Sequence, residues 1–88
     1  MAIQGMDPEA VRSFATQLST DAENIDTIVN SLTSQLGGVQ WIGADASRFT
    51  GDWESTYRPQ LQSVSNALRD AATVANANAT QQEQASSA

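Results

Sequence analysis

The sequence predicts an all-α fold, an antiparallel helical hairpin that pairs into an elongated four-helix bundle dimer. Three observations carry this. Apolar residues recur at intervals of three and four over two long segments, as one face of a helix requires. No stretch alternates with the period of two that a half-buried strand needs. Between the two segments lies GGVQWIGAD (37–45), glycine-rich and too short for anything but a reversal of the chain.

Residues 1–6 are expected to be a flexible N-terminus, and the first helix is expected over 7–37. Asp7 suits the cap, because its carboxylate can accept from the free N–H groups of the first turn. Pro8 fits the first helical position, and Glu9 favours the positive end of the helix dipole. Val11, Phe14, Leu18, Ala22, Ile25, Ile28, Val29, Leu32 and Leu36 then form one apolar stripe on a helix about 45 Å long. Gly37-Gly38 are expected to end it in the left-handed conformation common after helices.

The turn is expected over 38–44 and the second helix over 45–78, with Asp45 as its cap. Ala46, Phe49, Trp53, Tyr57, Leu61, Val64, Leu68, Ala71, Ala72 and Ala75 keep helical spacing. Gly51 weakens this helix by about 1 kcal/mol. Pro59 has no N–H to give the Ser55 carbonyl, which predicts a bend near 55–59. The apolar register continues through Leu61, so the bend does not end the helix. Residues 79–88 carry no large apolar side chain and are expected to form a flexible polar tail.

Composition narrows the function. The 88 residues contain no cysteine, histidine or lysine. Disulfide staples, thiolate chemistry, the imidazole proton shuttle and a Schiff-base nucleophile are thereby absent. Ten acidic residues against four arginines give a net charge of −6. Nucleic-acid binding needs a basic stripe, and interfacial membrane helices need a basic polar face, so both are disfavoured. The opening MAIQGMDPEAV has neither the basic flank nor the apolar core of a secretory signal. No run reaches the roughly 18 apolar residues of a membrane span.

No catalytic constellation emerges, and no catalytic, cofactor-binding or metal-binding residue is assigned. Asp21, Glu23 and Asp26, and likewise Asp52 with Glu54, lack calcium-loop spacing and fall mostly off the apolar stripe, so they read as a solvated acidic face. The hydroxyl side chains have no activating base. Phe49, Trp53 and Tyr57 step every four residues and read as core. The candidate hairpin and dimer core is Val11, Phe14, Leu18, Ile25, Ile28, Leu32, Leu36, Phe49, Trp53, Leu61, Val64 and Leu68. The stripes are wider than a two-stranded seam requires, and a small chain without staples commonly depends on oligomerisation. A second hairpin is therefore expected, from a copy or a related chain. A copy would bring the net charge to −12.

Trp41, in a loop that Gly43 keeps from being helical, covers the open end of the hairpin over Leu36 and Phe49, offers a surface to a partner, or does both. A mid-chain Trp-x-Gly turn between two amphipathic helices, in an acidic chain of this length, resembles the WXG family of early-secreted-antigen-like, roughly 100-residue proteins of type VII secretion. Asp45, Ala46, Phe49, Trp53, Pro59 and Leu61 resemble its actinobacterial members. The resemblance implies a non-enzymatic protein that leaves the cell without a cleaved signal peptide, as an exported substrate or as the chaperone-like half of an exported homo- or heterodimer. It implies a membrane-bound secretion ATPase as partner and Trp41 with Gly43 as the recognition motif. One departure concerns the family's export signal, a tyrosine followed four residues later by an acid after the second helix. The single tyrosine, Tyr57, lies inside that helix and is followed at this spacing by Leu61. The departure keeps open an alternative, a cytoplasmic structural or adaptor bundle that is not exported.

Overall fold

A computed structural model describes residues 7–87; the expectation for residues 1–6 lies outside the described residues. Helix α1 (Pro8–Gly38) is followed by a short turn, helix α2 (Ala44–Asp52), a wide π-helical turn (Trp53–Tyr57) and helix α3 (Arg58–Ser87). The last three form one continuous arm that returns antiparallel along α1. The molecule measures 65 × 18 × 13 Å, with a radius of gyration of 19.5 Å. A compact chain of this length would have about 12 Å. The predicted hairpin is therefore present, and its thickness is that of one layer of helices.

Asp7 caps α1 as expected, its carboxylate accepting from the N–H groups of Glu9 and Ala10. The glycine pair behaves differently from expectation. Gly37 and Gly38 stay within the helix, and Val39 ends it with an extended backbone whose N–H still donates to the Gln35 carbonyl at 3.1 Å. The predicted bend at Pro59 is realised as the π turn. Arg58 N–H donates to Trp53 O, five residues back, in the turn where the proline withdraws a donor. The extra residue is legible in the spacing: Ala46, Trp53, Leu61 and Leu68 are seven, eight and seven apart.

Where α1 and α3 meet, the buried residues are small. Ala15, Ala22 and Val29 on α1, and Ser65, Ala72 and Ala79 on α3, each seven apart, are at most 4% exposed. Side chains of this size let the two backbones approach closely, and the large apolar residues are displaced to the flank. Helix α3 accordingly runs past residue 78, where the sequence pattern ends it. Ala79 is fully buried in the seam, and Arg12 reaches across to Thr80 (3.1 Å) and to the Glu83 carboxylate. A tail without large side chains suffices because the seam asks for none.

Near mid-length a cluster of polar groups crosses the seam. The fully buried Ser65 hydroxyl donates to Asp26 Oδ1 at 2.7 Å, lies 3.2 Å from the Ala22 carbonyl, and accepts from Arg69 Nη1 at 2.7 Å. Arg69 also pairs with Asp26 directly. Asp26 is thus a cross-helix partner, which its acidic neighbours Asp21 and Glu23 had masked in the sequence. The Arg69 guanidinium and, secondarily, the Ser65 hydroxyl hold the Asp26 carboxyl below its ordinary value of 3.8, against the opposing effect of burial. Among the described residues, no buried side-chain polar atom lacks a hydrogen-bond partner.

Two outcomes are expected. Ala22→Leu should destabilise the hairpin by at least about 1–3 kcal/mol through overpacking, whereas Ala77→Leu, on an exposed position, should change it by less than about 0.5 kcal/mol in denaturant titrations. A folded-state pKa below the unfolded one means that Asp26 stabilises the fold above about pH 3.8 and ceases to as pH falls through its folded value. Thermal midpoints measured between pH 5 and pH 3 should therefore fall more steeply in the parent than in Asp26→Asn.

Candidate functional site

The chain reverses at Gly43, whose backbone sits at φ 128° and ψ 178°. Only glycine reaches this region without strain. The space around it is open, with no atom within 4 Å of where a Cβ would stand. Glycine is therefore required by conformation and not by crowding. Gly43 is also the cap residue of α2: its carbonyl accepts from Ser47 N–H at 3.1 Å, and no side chain caps the helix. Asp45, predicted as the cap, lies instead in the first turn, where its charge complements the helix dipole.

Trp41 leans on Phe49 with ring centroids 6.0 Å apart and planes inclined at 44°. It is still 48% exposed, and the neighbouring Ile42 is 91% exposed. These two side chains rise beside an open groove of about 490 Å³ whose floor is made by Gly43, Ala46, Ser47 and Gly51. Gly51, a liability as a helix former, keeps that floor low. The second tryptophan has the opposite role. Trp53 is buried and donates from Nε1 to Thr33 Oγ1 at 3.0 Å, while the Thr33 hydroxyl donates to the Val29 carbonyl at 2.7 Å. This chain of bonds ties the returning arm to α1 just below the turn, and Thr33 was not singled out in the sequence because a helical threonine carries no distinctive signal.

The twelve candidate core residues divide sharply in the single hairpin. Only Trp53 is buried. Val11, Leu18, Ile25, Leu32, Leu36, Leu61 and Leu68 are half-buried. Phe14 and Ile28 are each 60% exposed, Val64 48% and Phe49 37%. The offset from the seam explains this. Residues one before a seam position point about 100° away from it, and residues three after point about 60° away in the same sense. Because the arms run antiparallel, the same offset faces the same way on both. Phe14, Ile28, Leu18, Ile25 and Leu32 of α1 therefore share a face with Leu61, Val64 and Leu68 of α3. A shallow apolar recess of about 440 Å³, lined by Trp53, Tyr57, Gln60, Leu61 and Val64, lies on this face. Tyr57, read as core, is 45% exposed there.

The opposite face is polar, carrying the Arg12–Glu83 and Asp26–Arg69 pairs. Glu54 pairs with Arg58 one helical turn on, at 3.0 Å. No grouping of three or more potential metal ligands occurs among the described residues. No described helix is long and apolar enough to cross a membrane.

Gly43→Ala should cost about 1–3 kcal/mol in urea unfolding, the strain of a side chain at positive φ. Gly37→Ala, in a helical position with open surroundings, should instead stabilise by about 0.5–1 kcal/mol.

Neither the curated proteins nor the solved structures offer a match to the chain. The family model described as proteins of 100 residues with WXG, a family associated with type VII secretion, matches residues 5–87. That match spans the capped helix α1, the Trp41–Gly43 turn at mid-chain and the whole returning arm, and the chain belongs to this WXG family.

Proposed function

We propose that this chain is a non-enzymatic component of a type VII secretion system, an exported substrate or the chaperone-like half of an exported dimer. It pairs with itself or a related WXG-type hairpin through the apolar face. It presents the Trp41–Gly43 turn to the export machinery, whose membrane-bound ATPase is the partner implied by the family. Secretion then follows the type VII route, without a cleaved signal peptide.

The observation that carries this reading is the exposure of Trp41 and Ile42 at the turn end of the hairpin. Burial of a large apolar side chain typically contributes about 1.5–3 kcal/mol, so leaving two beside an open groove has a cost in solubility that recognition would offset. The apolar face supports the pairing half of the proposal. Phe14, Ile28 and Val64 form part of a surface that a second hairpin would cover, completing a four-helix bundle. A surface that binds needs no activated nucleophile, and the cysteine, histidine and lysine that commonly supply or activate one are missing from the composition.

A second reading, a cytoplasmic adaptor that is not exported, is favoured by one specific feature. Tyr57, the tyrosine an export signal would use, lies in the π turn and not beyond the second arm. Comparing cells and culture medium by immunoblot, with and without the secretion ATPase, separates the two. Export predicts protein in the medium only when the ATPase is present; retention in both strains favours the adaptor. In an exporting strain, Trp41→Ala should remain folded by circular dichroism and lose less than about 1 kcal/mol of stability, yet reach the medium at roughly one tenth of the parental level. Parental export of a folded Trp41→Ala would remove the turn from the recognition surface.

A further inference from the structure

The apolar face has one charge in it. The α1 residues that immediately precede the seam positions Ala15, Ala22 and Val29 are Phe14, Asp21 and Ile28, so a carboxylate stands in the column between a phenyl ring and an isoleucine. Asp21 is half-buried, and Gln17 Nε2 donates to its Oδ1 at 2.8 Å. That amide fixes the carboxylate in place without neutralising it. The stretch of α3 alongside lies between Arg69, which meets Asp26, and Thr80, which meets Arg12. The residues this stretch turns toward the apolar face are Ala71, Ala75 and Asn78, none of them cationic.

A second copy cannot supply the missing charge. The chain has four arginines and no lysine. Arg12 and Arg69 are committed to Glu83 and Asp26 on the opposite face, and Arg58 pairs with Glu54. Arg48 lies in α2, near the turn. At 1.5 Å per residue it falls more than about 10 Å along the axis from the partner's Asp21, whether two fully overlapping copies run parallel or antiparallel. The two Asp21 carboxylates, in contrast, come together. Asp21 sits two residues from the middle of the 31-residue α1. Either two-fold arrangement therefore places the pair within about 6 Å of each other along the bundle axis. Like charges at a covered interface repel, and an unpaired carboxylate is costly to take out of water.

Resting on the pairing reading above, we propose that Asp21 selects the partner. The apolar face is built for a second helical hairpin of different sequence, with a lysine or arginine at mid-length facing Asp21, and the same carboxylate disfavours self-pairing. A hydrophobic face alone would accept any similar face; one charge at its centre converts size matching into discrimination, because it adds attraction to one partner and repulsion to the other.

Sedimentation equilibrium of the full chain at neutral pH tests this with two variants. Asp21→Asn removes the charge at nearly constant shape and should self-associate at least about tenfold more tightly than the parent. Asp21→Lys supplies the proposed partner's cation, so parent and Asp21→Lys mixed one to one should form a mixed dimer tighter than either alone. A parent dimer as tight as that of Asp21→Asn, together with a mixture no tighter than its components, would overturn the role of Asp21 while leaving the pairing face intact. Helical but monomeric behaviour of Asp21→Asn and of the mixture would remove the pairing face itself, and this proposal with it.

Discussion

The close approach of α1 and α3 along a seam of small residues is the constraint from which the rest of the molecule follows. A buried methyl group contributes only about 0.8 kcal/mol, so Ala15, Ala22, Ala72 and Ala79 provide modest apolar stabilisation for a chain of this length. What they provide is proximity. With the backbones drawn together, there is no room between the arms for leucine, isoleucine or phenylalanine, and these are turned onto one broad surface. The hairpin thereby holds itself together with its small residues and leaves its large ones on its surface. An 88-residue chain without cysteine has few other sources of stability, and a partner covering that face, as proposed above, would add one.

Polar groups divide the labour differently. Alanine seams slide easily, since each heptad resembles the next, and an unmatched polar group penalises every wrong alignment. The Ser65 hydroxyl meets the Asp26 carboxylate, and the Trp53 indole meets Thr33, only in this alignment. The ion pairs themselves are partly exposed and individually add little to stability. Their contribution is to register, with the π turn at Trp53–Tyr57 bringing the indole around to face α1.

Much of this was legible in the sequence, and the failures share a cause. Helical periodicity, the Asp7 cap, the turn at Trp41–Gly43 and the disturbance at Pro59 each rest on a strong local preference, and each is present. Hydrophobicity ranks alanine low, however, so the candidate hairpin and dimer core of large residues leaves out Ala15, Ala22, Ala72 and Ala79, the small residues that close between the arms. The same bias ended the second helix at 78, since Ala79 and Thr80 have no weight until the opposite arm is in place. Asp45 and Gly43 compete for the cap of α2, and the decision depends on the path of the loop, which one-dimensional preference does not contain. Asp26 is indistinguishable from a solvated acid until Arg69, 43 residues away, is folded against it.

The ties across the seam also order the hairpin in time. Trp53 and Thr33 are 20 residues apart, Arg69 and Asp26 are 43 apart, and Arg12 and Glu83 are 71 apart, so sequence separation grows steadily with distance from the turn. Each tie closes a longer loop than the one before, unless the shorter loop is already shut. Assembly from the turn outward avoids the largest entropic cost at every step, and melting runs in reverse, starting where the arms lie farthest from the turn. The molecule is in this sense a zipper with its stop at Gly43. A machine that pulled on either terminus would work against one tie at a time, while the end bearing Trp41 and Ile42 would keep its shape the longest.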